Sequence, residues 1–82
     1  METANGSLRD LLTDVVLARG ALHRERRQRP VTRLDVGLAQ HRLVLALRAY
    51  ESALTQDGAP MPYRLRDELR LLESLDQLHA GH

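Results

Sequence analysis

The chain of 82 residues contains no cysteine, which removes disulfide frameworks, thiolate zinc sites and cysteine nucleophiles together. Phe and Trp are also absent, and the only aromatics are Tyr50 and Tyr63, so a core has to be built from Leu, Val and Ala. Leu and Ala favour helix, while the β-branched residues are too few and scattered for strands. Lysine is missing too: all 12 basic residues are Arg, set against 11 Asp and Glu. That balance lacks the basic excess of most nucleic-acid-binding domains. No apolar run approaches the roughly 18 residues of a membrane span, so no membrane partner is expected. Residues 1–7 are polar with no hydrophobic region behind them, so no secretory signal is expected and the cytoplasm is the expected compartment.

What the chain does contain is amphipathic helix. At about 100° per residue, residues 32–57 carry two apolar faces. Val36, Ala39, Leu43, Ala46, Leu47, Tyr50, Ala53 and Leu54 form the main one. Leu34, Leu38, Leu45 and Ala49 form a minor one on the opposite side. A helix with two apolar faces has to be covered twice. Thr32, with Asp35 three residues on, marks its start, and Asp57-Gly58 its exit, Gly58 suiting a left-handed cap. The predicted helix, over 32–56, is roughly 36 Å long.

A first helix is predicted over 8–28, entered through Ser7 and Asp10 and striped by Leu8, Leu11, Leu12, Val15, Ala18 and Leu22. Gly20 is its weak point and a candidate for close backbone approach. Pro30 ends it, because the residue before a proline is pushed out of the α region. After the stiff stretch Ala59-Pro60-Met61-Pro62, a third helix is predicted over 63–79, striped by Leu65, Leu69, Leu71, Leu72, Leu75 and Leu78. The expectation is all-α: a disordered tail at 1–6, then one domain over 7–82. That domain is an up-down-up three-helix bundle with a long central helix, completed by homodimerisation. A chain this short buries only about 60–65% of its unfolded surface, which makes self-association a natural supplement. The candidate interface residues are Leu34, Leu38, Leu45, Ala49, Leu71 and Leu78.

Three groups of polar residues invite a chemical reading. Arg24, Arg26, Arg27, Arg29 and Arg33 surround the first turn between helices and could bind phosphates; cations at a helix C-terminus also complement its dipole. Arg19 and Arg26 fall on the first helix's apolar stripe, Glu68 and Asp76 on the third's. Such charges must be paired, reach solvent or hold a ligand. Arg19, Arg26 and Glu68 are thus candidate ligand-binding residues for an Arg-lined pocket gripping a carboxylate. Arg19 and Asp76 are predicted to pair across the first and third helices. His23 and His41 have no ligand partner at suitable spacing, and His79 and His82 stand at the chain end, so no metal site is expected. No serine sits in a nucleophile elbow and no glycine-rich loop could cradle phosphate.

Arg residues on a long first helix are also a feature of small helical chorismate mutases. Those enzymes need a Lys in the first half and an acidic cluster with Arg-Glu opening the second helix. This chain has no Lys and reads Ala39-Gln40-His41-Arg42-Leu43 there. No catalytic residue and no cofactor are therefore expected, and an enzyme is the lesser expectation. The leading one is a small dimeric interaction module, a regulator or accessory subunit that docks on another protein. A nucleic-acid-associated regulator using the Arg cluster is the first alternative. A small-molecule enzyme or binder with an Arg-lined interhelical pocket is the second.

Overall fold

The leucine and alanine content resolves into three helices, α1 (Ala4–Arg27), α2 (Arg33–Gln56) and α3 (Tyr63–Ala80). The computed structural model describes residues 4–28, 30 and 32–80, with side chains described over 8–28, 30 and 32–77. Among the described residues there is no strand, so the chain is all-α. Helix α1 begins at Ala4, ahead of the start that Ser7 predicts, so Ser7 lies inside the helix and residues 4–6, expected in the tail, are helical. Residues 1–3 of that tail lie outside the described residues.

Local chemistry sets both ends of α2. Thr32 is the extended N-cap; its Oγ1 accepts from the Asp35 backbone N–H at 3.4 Å and donates to the Asp35 carboxylate at 2.5 Å. At the far end Gly58 takes φ +73°. Its N–H donates to the Thr55 carbonyl at 3.0 Å and the Ala59 N–H to the Leu54 carbonyl at 2.9 Å. This is a complete Schellman closure. Pro62 then opens α3, its carbonyl accepting from Leu65 and Arg66 N–H.

Helices α1 and α3 both pack on α2, and on one broad face of it. Leu43, Val44 and Leu47 of α2 are fully buried with Val15 of α1, and Leu22, Ala39, Tyr50, Leu54, Leu69 and Leu72 close the core around them. At about 1.5–3 kcal/mol per fully buried aliphatic side chain, these contacts hold the fold. Val44 and Gln40 belong to this face although the main apolar stripe omits them, because α3 approaches α2 from that side. Met61 in the connector is buried as well and belongs to the same core.

Among the described residues nothing covers the minor face of α2. Leu34, Leu38 and Leu45 are 71%, 53% and 49% exposed, and Ala49 is exposed with them. Of the two apolar faces of α2, one receives both α1 and α3. Of the two aromatics, Tyr50 is buried in the core and Tyr63 is 79% exposed.

Candidate interaction surfaces

Among the described residues helices α1 and α3 approach through side chains, with no α-carbon of one within 8 Å of an α-carbon of the other. Arg19 bridges them. Its Nε donates to Glu68 Oε2 at 3.0 Å and its Nη2 to Glu68 Oε1 at 2.5 Å, a two-pronged charge-assisted contact. The hydrogen bond to Glu68 raises the Arg19 pKa above its ordinary value; burial opposes this, and the carboxylate's charge adds to it. The predicted Arg19–Asp76 pair is therefore corrected: Asp76 instead contacts His41 Nδ1 of α2 at 3.2 Å. The apolar-stripe logic for Arg19 holds, but the axial alignment does not. The groove between α1 and α3 gathers Arg19, Leu22 and Arg26 against Glu68, Leu72 and Leu75. Residue 19 thus stands level with 68 and residue 26 with 75. Helix α3 begins about level with the middle of α1 rather than with its start.

This groove brings together the three candidate ligand residues, Arg19, Arg26 and Glu68, with His23 at its rim. Its cavity is about 190 Å³, below the roughly 300–1,000 Å³ of ordinary small-molecule sites. Glu68 is already engaged by Arg19. Leu71, at the groove edge, is 63% exposed. The Leu78 side chain lies outside the described residues.

On the other flank of the α1/α2 pair, away from α3, lies a larger groove of about 360 Å³. Its floor is Ala21, Leu38 and Ala39; its rim is Arg24, Glu25 and Gln28 of α1 with Asp35 and Arg42 of α2. Among the described residues none of these four charged side chains is in an ion pair. Leu17, one turn before Ala21 on the same side of α1, is 63% exposed. Sequence reading missed Leu17 and Arg42. The available signal was spacing: Leu17, Ala21, Arg24 and Gln28 share one side of α1, and Arg42 stands two turns from Asp35 on α2.

Of the Arg cluster, Arg24 lines the α1/α2 groove and Arg26 the α1/α3 groove, on different sides of α1. Arg27 and Arg33 are exposed, and Arg29 lies outside the described residues. The α3 face of α2 is closed by Arg48 Nε donating to Glu73 Oε2 at 2.8 Å, beside His41–Asp76. Among the described residues no group of three or more metal-ligating side chains comes together, and no buried side-chain nitrogen or oxygen lacks a partner. Among these residues no helix is long and apolar enough to cross a membrane. Comparison with family models, curated proteins and solved structures finds no match.

Proposed function

We propose that the protein is a small helical interaction module whose up-down-up domain is completed by homodimerisation, and that it acts in the cytoplasm as a regulator or accessory subunit for another protein. The observation that supports this is the open face of α2, where Leu34, Leu38 and Leu45 stand about half exposed or more in one line. With Leu17 of α1 they form an apolar patch on the order of a few hundred Å², a size at which surface patches are often functional. The nucleic-acid alternative is weakened by the division of Arg24 and Arg26 between two grooves. The ligand alternative rests on the meeting of Arg19, Arg26 and Glu68, and is weakened by the small cavity and the internal Arg19–Glu68 pair. Light scattering on the purified chain tests the leading reading. A dimer mass at micromolar concentration, reduced to a monomer mass by Leu38→Glu, supports it; a monomer mass for the unaltered chain rejects dimerisation.

A further inference from the structure

The α1/α2 groove has a charge arrangement that one chain does not use. A twofold contact places the same surface of two copies together, so residue i meets j′ and j meets i′. A patch suited to it has to carry both signs of charge, placed so that each cation falls opposite an anion. The groove residues Ala21, Arg24, Glu25 and Gln28 of α1, and Asp35, Leu38, Ala39 and Arg42 of α2, have this property. Turned about an axis through the groove centre and across the helices, α1 faces α1′ and α2 faces α2′, antiparallel. Arg24 then stands opposite Glu25′, and Asp35 opposite Arg42′. Leu38 meets Ala39′ between them.

We infer that this groove is the self-complementary contact between two copies of the chain. Four ion pairs ring an apolar centre of Leu38 and Ala39, with Leu34 one turn away on the same helix. The inference rests on the dimer reading above and says which face and which register the dimer uses. About this axis α2 overlaps its copy over residues 33–44 and α1 only near its C-terminal end. The contact spans roughly 18 by 20 Å, smaller than the roughly 800 Å² per partner of a standard interface, and its ion pairs rather than its area set the register. Charge also argues for a second copy over a foreign partner. The rim holds two Arg and two carboxylates, so it presents no net charge to a strongly acidic or basic partner. The Gln28 amide, in the orientation its neighbours demand, donates to Glu25 at 3.1 Å and fixes that carboxylate on the rim.

The test exchanges charges between copies. In Asp35→Arg alone, Arg meets Arg42′; in Arg42→Glu alone, Asp35 meets Glu′. Each variant alone should dimerise at least about tenfold more weakly than the unaltered chain, because like charges face each other at two places. An equimolar mixture restores opposite charges at both places and should give a heterodimer by light scattering. Asp35 also sits beside the Thr32 cap, so circular dichroism has to show that each variant folds. If Asp35→Arg does not fold, Arg24→Glu with Glu25→Arg makes the same exchange on α1. Weak singles with a dimeric mixture establish the face. Variants as dimeric as the unaltered chain overturn this face and leave the dimer reading standing; an unaltered chain that is monomeric overturns both.

Discussion

The two sides of α2 carry the same residue types and differ in fate. Leu43 and Leu47 on the inner side are 1% and 0% exposed, while Leu38 and Leu45 on the outer side are 53% and 49% exposed. All four sit in the middle of one 24-residue helix, so local propensity cannot distinguish them. The difference comes from where α1 and α3 lie: both take the inner side, α3 tied to α2 through His41–Asp76 and Arg48–Glu73 and to α1 through Arg19–Glu68. Apolar periodicity thus reports that a face is to be covered, and the path of the chain decides whether the cover is intramolecular.

The largest expected effect tests the inner side. Leu47→Ala should lower stability by about 3–5 kcal/mol, as truncations of fully buried leucines do, and by the same amount at every protein concentration. Urea melts measure it. A loss below about 1 kcal/mol would mean that the inner side is not the core.

Next in size are the contacts that position the elements around α2. A double-mutant cycle on Arg19→Met and Glu68→Leu should give a coupling of about 1 kcal/mol, kept modest because the side chains remain 37% and 27% exposed. Additive single effects would mean that the bridge does not tie α1 to α3. Thr32→Ala should cost about 1 kcal/mol by removing the cap of α2; a neutral result in the same melts would leave Asp35 as the stronger start signal.

The smallest effects concern glycine. A Cβ built at Gly20 meets only the Arg24 guanidinium, at 3.7 Å, and one at Gly37 meets nothing within 4 Å. Close backbone approach at Gly20, expected from the sequence, is therefore absent. Gly20→Ala and Gly37→Ala should each stabilise the chain by about 0.5–1 kcal/mol through helix propensity alone. Destabilisation by Gly20→Ala at high concentration only would place α1 of a second copy against it.

The parts of the fold written in local chemistry were legible. Thr32 and Asp35 start α2, and Gly58 ends it, because caps depend on residues within one turn. The start of α1 was not, since helix continues past Ser7 to Ala4 without a cap signal strong enough to stop it. Val44 and Gln40 fall outside the main apolar stripe and are buried because of where α3 lands. Pairing of Arg19 with Glu68 rather than Asp76 turns on how far the connector carries the start of α3 along α1. The spacing of apolar residues holds no record of that distance. The candidate interface residues Leu34, Leu38, Leu45 and Leu71 were found by periodicity and are all exposed. Their groove charges, Arg42 and Asp35 among them, emerge only when two helices stand side by side.

The contrast between the two sides of α2 is tested most directly by the stability cost of Leu38→Ala as a function of protein concentration. A residue buried between copies contributes to stability only while the dimer is populated. The account predicts a clear loss of thermal stability in Leu38→Ala at tens of micromolar that fades on dilution to the nanomolar range. A cost that is absent at every concentration would contradict it, and so would one that dilution leaves unchanged.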